Sequence, residues 1–350
     1  MSDLLLRDFS PRPKLVTPVT IVERPRFPLF DAHNHLGAQF GGNWIARPMA
    51  QLIEAMDSVR MTRLVDLDGG WGEDILDEHL AHFVEPYPDR FMVYGGIDWS
   101  RWAEEGNRFG DASACRLEAQ VRRGAKGLKV WKVLGLRVRD EKGLRVPVDD
   151  PRLDPIFETA ADLDIPVMIH IADPIAFFDP LDPHNEQYET VQQVPDWHFY
   201  GPEFPPFMQV MDEYVARFAR HPRTTFVGAH VASFPENLPW VGAVLDGHPN
   251  VYIDFSARIN ELGRQPYTAR EFFIRYQDRI LFGADSPPGS SAYSAYFRFL
   301  ETRDEHFDYS PDGTPWLGRW RIYGIFLPDD VLEKVYHGNA DCVLPQGGAR

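Results

Sequence analysis

The sequence predicts a (β/α)8 barrel, in which eight parallel strands alternate with helices around a single core. Eight short apolar runs alternate with stretches that have the composition of helices. The runs are continuously apolar, as expected for parallel strands that are covered on both faces. Five of the runs end in a residue that can bind a metal or an anion. Because the carboxyl ends of barrel strands meet at one face, these five endings predict a shared site.

The predicted elements follow one another in a regular order. The strands are expected at residues 27–35, 63–69, 91–98, 127–131, 165–170, 225–230, 251–256 and 280–285. The helices are expected at residues 48–60, 73–85, 115–123, 154–163, 214–220, 238–246 and 270–275. Such alternation indicates a parallel sheet with right-handed crossovers. An open, doubly wound sheet has the same pattern and stays the alternative.

The domain organisation follows from the segments that do not fit this alternation. Residues 1–26 are rich in proline and charge, which predicts an N-terminal arm on the surface. Residues 27–350 are expected to form the barrel as one domain. Two long segments, 171–211 and 286–327, begin directly after candidate ligand strands and are rich in aromatic side chains. Long loops in compact domains are usually functional, so both insertions are predicted to cover the carboxyl-end mouth of the barrel.

The composition excludes several classes of partner. The formal net charge of −16 and the lack of a basic run argue against nucleic acid and anionic membranes. The N-terminus lacks a signal-peptide core, and no apolar run is long enough to span a bilayer. A soluble, cytoplasmic protein is therefore expected. Cys115 and Cys342 are too few for a disulfide framework and are expected to be small buried hydrophobes.

The strand endings predict a metal site. Residues two apart in a strand point to the same side, so His33 and His35 can chelate one ion together. His170 and Asp285 would complete a site with an open position, as a catalytic metal requires. A lone histidine pair at a strand end is more often structural. The combination with the other strand endings favours a divalent metal, with zinc expected.

The motifs FDAHNHLG, GLKVWK, VMIHIAD, VGAHVAS, LFGADSP and the GNA turn at 338–340 together resemble the amidohydrolase superfamily. The resemblance covers residues 27–345 and is to the Amidohydrolase 2 branch, which includes aminocarboxymuconate-semialdehyde decarboxylase-like enzymes. It implies that His33, His35, His170 and Asp285 bind metal. It also implies that His230 binds a second metal or acts on the substrate.

Lys129 has two interpretations. Strand alternation turns its side chain inward, and a buried amine needs a partner or a modification. The resemblance allows a carboxylated Lys129 that bridges two ions. The favoured interpretation is one ion, with Lys129 as a cation that orients a substrate carboxylate. Lys132 is the alternative cation at the mouth, and Arg47 and Arg258 are candidate anion-binding residues there.

The leading functional hypothesis is a metal-dependent hydrolase that cleaves a C–N or C–O bond with a metal-activated water. Asp285 would act as the general base, and His230 would stabilise the oxyanion or assist proton transfer. The alternative is a non-oxidative decarboxylase or hydratase of an unsaturated or aromatic carboxylic acid. A metal-binding scaffold with a dead site is a third class, which the intact ligand set disfavours. The expected partner is a small molecule, with carboxylates as the candidate class, and homo-oligomers are expected by family analogy alone.

Acidic residues that end other predicted strands are expected to serve the loops. Asp68, Asp98 and Asp254 also end predicted strands. Each is predicted to hydrogen-bond a neighbouring loop rather than to bind a metal.

Overall fold

The computed structural model describes Leu5, Phe9 and residues 11–39, 42–310 and 317–344. Parts of the predicted arm, of the second insertion and of the C-terminus lie outside the described residues. The barrel strands are β1 (Leu29–Asn34), β2 (Met61–Asp66), β3 (Phe91–Val93), β4 (Gly95–Gly96), β5 (Leu128–Val130), β6 (Val167–Ile169), β7 (Phe226–Gly228), β8 (Val251–Asp254) and β9 (Ile280–Leu281). Strands β3 and β4 form one run that is interrupted at Tyr94, so these strands occupy eight barrel positions.

The strands pair in parallel and in chain order. One sheet has the order β1-β2-β3, and the other runs from β4 to β9. Tyr94 joins the two sheets, because its amide donates to Asp66 O at 3.0 Å while the next amide, Gly95, donates to Gly127 O at 2.9 Å. At the other edge, the Ala32 amide donates to Phe282 O at 2.9 Å. These bonds close the ring, which confirms the predicted barrel and excludes the open sheet.

Helices separate the strands as the alternation predicts. Apart from a short turn at Ala229–Ala232 that contains left-handed residues, the α-helices are Met49–Ser58, Glu73–His79, Trp102–Glu105, Phe109–Arg123, Asp154–Asp162, Tyr188–Gln193, Phe207–Arg220, Leu238–Gly247, Ile259–Leu262, Pro266–Arg275, Ser291–Glu301, Asp329–Glu333 and Asn339–Val343. In the described part of the chain, no helix has the length and apolar character needed to cross a membrane. Cys115 and Cys342 are both exposed, so the expectation of buried cysteines is wrong. Each sulfur lies on the solvent side of a helix whose apolar face packs on the barrel.

Apolar side chains pack on both faces of the strands. Leu128 and Val130 belong to the large cluster between the sheet and the helices, as alternation requires. Phe30, Ala32 and Met168 pack together inside the barrel. The register of β1 against β2 shifts between Asp31 and Asn34. A shift of this kind is a β-bulge, which re-aims nearby side chains, and here it contains His33 and precedes His35.

The two insertions fold over the carboxyl ends of the strands and supply walls of the cavity there. The second insertion contains a small antiparallel pair, β10 (Phe307–Asp308) with β11 (Arg321–Ile322). Described residues of the N-terminal arm contain no helix or strand and are mostly exposed. The arm is tied to the second insertion, since the Thr20 amide donates to Asp304 Oδ2 at 2.6 Å.

Candidate metal centre

Three of the four predicted ligands meet at the mouth of the barrel. One ligand atom from each of His33, His35 and Asp285 lies within 4.8 Å of the others. His35 Nε2 is 3.4 Å from Asp285 Oδ1. The group does not include His170, whose ring lies beside that of His230 at 4.4 Å between centroids. His230 in turn lies 4.8 Å from the His33 ring, so all four histidines line one continuous cluster.

Carboxylates orient the two histidines of β1. His33 Nδ1 is 2.9 Å from Asp254 Oδ2, and His35 Nδ1 is 2.7 Å from Asp68 Oδ1. Each contact is made by Nδ1, and a carboxylate at this nitrogen is how proteins support histidines that bind a metal through Nε2. Burial raises the pKa of Asp254, but the contacts with His33, His230 and Ser256 together outweigh burial and hold that pKa well below its usual range. Asp254 is therefore a stable anion.

The other two histidines are held neutral. Burial, followed by the charges of Lys129 and Lys132, lowers the pKa of His170 well below its usual value. Burial and the neighbouring His170 lower the pKa of His230 in the same way. His170 Nε2 is buried and has no hydrogen-bond partner among the described residues. A neutral imidazole with an unpartnered nitrogen is the form that binds a metal.

The donor set fits a divalent ion. It combines imidazole nitrogens with a single carboxylate, carries supporting carboxylates behind two of the histidines, and leaves an unpartnered His170 nitrogen. Such a mixed nitrogen and oxygen set suits zinc, manganese and related ions. Two further groups also bring three donor atoms within 4.8 Å of one another, namely His33, His230 and Asp254, and Asp66, Asp68 and His79. Their carboxylates already hydrogen-bond histidines, so both groups support the first.

Lys129 lies inside the barrel with its amine unpartnered. Its side chain is fully buried, and Nζ has no hydrogen-bond partner among the described residues. Nζ lies 4.8 Å from the centre of the Trp131 ring. Burial lowers the Lys129 pKa to about 8, against the attraction of Asp254 and Asp285. Lys129 is thus a buried amine next to the candidate ligands that makes no hydrogen bond to the described residues.

A cavity of about 800 Å³ opens onto this cluster. Its floor includes the histidines and Asp285, and its walls include six aromatic side chains, those of Trp71, Trp131, Phe177, Trp197, Tyr296 and Tyr309. The first insertion contributes Phe177 and Trp197, and the second contributes Tyr296 and Tyr309. A mostly apolar pocket with a few converging polar groups is typical of a small-molecule site.

The predicted cationic residues separate into two groups. Lys132 and Arg258 line the cavity, and Arg258 is almost fully buried. Arg47 is exposed and stacks over Trp44, with its guanidinium carbon 3.6 Å from the ring centroid. It is not among the cavity-lining residues. Arg258 and Lys132 therefore share the site with the metal cluster, whereas Arg47 does not.

Left-handed backbone is concentrated at the ends of β6 to β9. Positive φ occurs at Ala172, at Ala257 and at Asp285. After β7, residues 230–233 have four consecutive φ values between 49° and 60°. Non-glycine residues adopt this conformation at a cost, and such strain is typical of functional sites. The left-handed turn places His230 over the barrel, where its amide donates to Asp254 Oδ1 at 3.1 Å.

Sequence reasoning missed the supporting roles of three residues. Asp68 and Asp254 hydrogen-bond candidate ligands rather than only loops, and Ser256 Oγ lies 3.0 Å from both His33 Nδ1 and His230 Nδ1. Their position at strand ends was a usable signal, because every strand end faces the same mouth. Asp98 behaves as predicted, since it caps the following turn through Ser100.

Comparison with known proteins identifies the family to which this chain belongs. The model of the family described as Amidohydrolase matches residues 31–345, which include every candidate ligand. The chain belongs to the amidohydrolase family. No curated protein matches this amidohydrolase in sequence.

Solved structures share its fold. An uncharacterised TIM-barrel protein from Bordetella bronchiseptica is 18% identical, with a TM-score of 0.56 over 92% of this chain and 100% of the other. The 2,6-dihydroxybenzoate decarboxylase from Rhizobium is 14% identical, with a TM-score of 0.55 over 91% and 98%. A dihydroxybenzoic acid decarboxylase from Polaromonas, with bound manganese and 2-nitroresorcinol, is 14% identical, with a TM-score of 0.55 over 91% and 96%. At these identities the likeness establishes the fold.

Proposed function

We propose that this amidohydrolase is a metal-dependent, non-oxidative decarboxylase of an aromatic or unsaturated carboxylic acid. The observation that carries the proposal is the cavity. It joins the histidine and Asp285 cluster to aromatic walls and to the buried cation Arg258. Flat rings pack on aromatic side chains, and a guanidinium pairs with an anionic substituent of such a ring. The names of the Rhizobium and Polaromonas proteins support the same chemistry.

The metal is proposed at His33, His35, His170 and Asp285. A divalent ion bound there would neutralise negative charge and hold an oxygen of the substrate. The manganese in the Polaromonas protein supports a divalent ion in this fold. The expectation of zinc, and of one ion rather than two, stays a prediction.

The proton-handling residues are proposed to be Asp285 and His230. Asp285 faces the cavity, and its side chain keeps about a quarter of its surface open. We assign to it the transfer of a proton, taken up from solvent, to the carbon that carries the carboxylate, and this transfer forms the new C–H bond. The C–C bond then breaks, its electron pair returns to the ring or double bond, and carbon dioxide leaves. His230 donates from Nδ1 to the Ser256 carbonyl at 2.8 Å, so its Nε2 can accept a hydrogen bond from the substrate.

The hydrolase hypothesis from the sequence uses the same residues, but nothing in the cavity favours it specifically. It stays a prediction, and the two functions differ in their products. Hydrolysis adds water and releases two fragments, whereas decarboxylation releases carbon dioxide.

The test is to incubate the metal-loaded protein with dihydroxybenzoates and related aromatic acids while measuring released carbon dioxide. We expect release by the natural protein and a loss of at least about 100-fold for Asp285→Asn, as is usual when a general acid is removed. Metal content is measured in both proteins to separate loss of the ion from loss of the proton donor. His248→Gln, at the opposite end of the barrel, is the control. Cleavage of amides or lactones without carbon dioxide from any acid would support the hydrolase instead.

A further inference from the structure

The wall of the cavity beside the metal cluster carries a polar group of three residues, Lys132, Asp173 and Arg258, which we call the basic wall. Lys132 Nζ is 2.5 Å from Asp173 Oδ2, and Arg258 Nη2 is 3.6 Å from Asp173 Oδ1. All three residues line the cavity. Two cations therefore share one carboxylate, which leaves an excess of positive charge on this wall.

Arg258 has donors to spare. Its Nη1 donates to the Ala257 carbonyl at 2.7 Å. Its Nε is buried and has no hydrogen-bond partner among the described residues, and its contact with Asp173 is too long for a hydrogen bond. A buried guanidinium with unused donors is costly unless something pairs with it. A bound anion would supply the missing acceptors.

The nearby acids do not fill this role. Within the described ranges, Asp173 is the only carboxylate within ion-pair distance of Arg258. Glu236 and Glu261 feel the charge of Arg258, but burial outweighs it and raises the pKa of both, that of Glu236 to about 7. Burial therefore disfavours the charged form of both side chains, and neither lies within ion-pair distance of the guanidinium.

The basic wall also lies close to the metal cluster. His170 Nε2 is 3.4 Å from Asp173 Oδ1, so a single carboxylate touches both groups. Aromatic side chains flank the space, because Trp71 and Trp131 stack with centroids 4.0 Å apart and Lys132 lies over the Trp197 ring. A flat ring between these groups would present one substituent to the cluster and another to the basic wall.

We propose that the basic wall is a second anion subsite and that the substrate carries a second acidic group besides the one that meets the metal cluster. The inference rests on the proposed function for the identity of the first group. Lys132 and Arg258 bind the second group, and Asp173 is a positioning residue that keeps the two cations together. The substrate class is an aromatic or unsaturated acid with two anionic substituents.

The test measures binding rather than turnover. The metal-loaded protein is titrated by calorimetry with benzoate and with the three benzenedicarboxylates. We expect at least one dicarboxylate to bind about tenfold more tightly than benzoate, which corresponds to about 1.4 kcal/mol. Arg258→Met and Lys132→Met should each remove this preference while benzoate still binds. Arg47→Met, an arginine outside the cavity, is the matched control and should keep the preference.

The result that overturns the inference is equal affinity for benzoate and all three dicarboxylates, or a preference that survives in folded Arg258→Met. If Arg258→Met does not fold, Arg258→Lys and Lys132→Met answer the same question, because each changes the geometry of the pair. A merely structural network would lower thermal stability without changing the preference. If a dicarboxylate binds preferentially but no aromatic acid releases carbon dioxide, the proposed function alone is contradicted. If an aromatic acid releases carbon dioxide but no dicarboxylate binds more tightly than benzoate, this inference alone is contradicted.

Discussion

Single residues at the barrel mouth are placed for ligand binding at a cost to stability. Lys129 is fully buried and its amine has no hydrogen-bond partner among the described residues. Burying a charge without a partner is unfavourable, and proteins retain such groups mainly at functional sites. The supporting contacts of Asp68 and Asp254 have the opposite character, because each satisfies a histidine nitrogen.

Replacing Lys129 with methionine is expected to stabilise the metal-free protein. The pKa in the fold is about 8, against an ordinary value of 10.5. The unfolded chain therefore binds the extra proton between these pH values, and the stability of the natural protein rises with pH across that window. Below pH 8 the charged amine costs up to about 3 kcal/mol. Urea unfolding at several pH values should show that Lys129→Met gains stability at neutral pH and loses the rise above pH 8.

The matched control for this prediction is Lys142→Met, because Lys142 is exposed. It should leave the pH dependence of unfolding unchanged. A Lys129→Met protein that is less stable than the natural one at neutral pH would contradict this prediction. It would mean that the amine has a partner or is itself carboxylated.

At the scale of elements, the turn after β7 is the most strained part of the described chain. Four consecutive residues without glycine adopt left-handed φ values there. Ser233 is the last of them, and its buried Oγ has no hydrogen-bond partner among the described residues. The bonds of His230 to Asp254 and to the Ser256 carbonyl hold the turn against this strain.

Ser233→Gly is expected to stabilise the fold by about 1 kcal/mol. Glycine removes the left-handed penalty of about 1–2 kcal/mol and also the unpaired hydroxyl. Against this, glycine gives the unfolded chain more conformational freedom, which lowers the stability of the fold by about 0.4–1 kcal/mol. The measurement is the free energy of unfolding in urea. Ala229→Gly, at a buried position outside the left-handed stretch, is the control and should be destabilising. Equal destabilisation by both changes would contradict the assigned strain.

The whole molecule is predicted to be stabilised by a metal that joins separate strands. His33 lies in β1 and His35 directly follows it, whereas His170 follows β6 and Asp285 follows β9, so an ion at these residues would link three positions of the ring. A ligand that binds only the folded state stabilises it by mass action, by about 4 kcal/mol at 1,000 times its Kd.

Elemental analysis is expected to give about one equivalent of divalent metal per chain, and chelation should lower the Tm by several degrees. The His33→Gln protein should have this lower Tm even without chelator, and adding chelator should change its Tm little further. His248→Gln, a histidine at the other end of the barrel, should respond like the natural protein. Two equivalents of metal, with added mass on Lys129, would favour the carbamate interpretation. If chelator left the Tm of the metal-loaded protein unchanged, the proposed metal site would be contradicted.

The sequence by itself determined the barrel and the candidate ligands, because strand periodicity and strand direction are local properties. Continuous apolar runs that end in His170, His230 or Asp285 suffice to place those residues at one face. Element boundaries were less exact, since helix Phe207–Arg220 begins seven residues before the predicted 214–220, directly after Pro206.

Only the tertiary structure decided which polar residues share the cavity. Arg47 and Arg258 have similar loop positions in the sequence, yet one is exposed over Trp44 and the other is buried beside Asp173. The support of His35 by Asp68 is likewise a contact across 33 positions of chain. Such contacts depend on how loops of different length pack over the strand ends, and the local pattern carries no information about that packing.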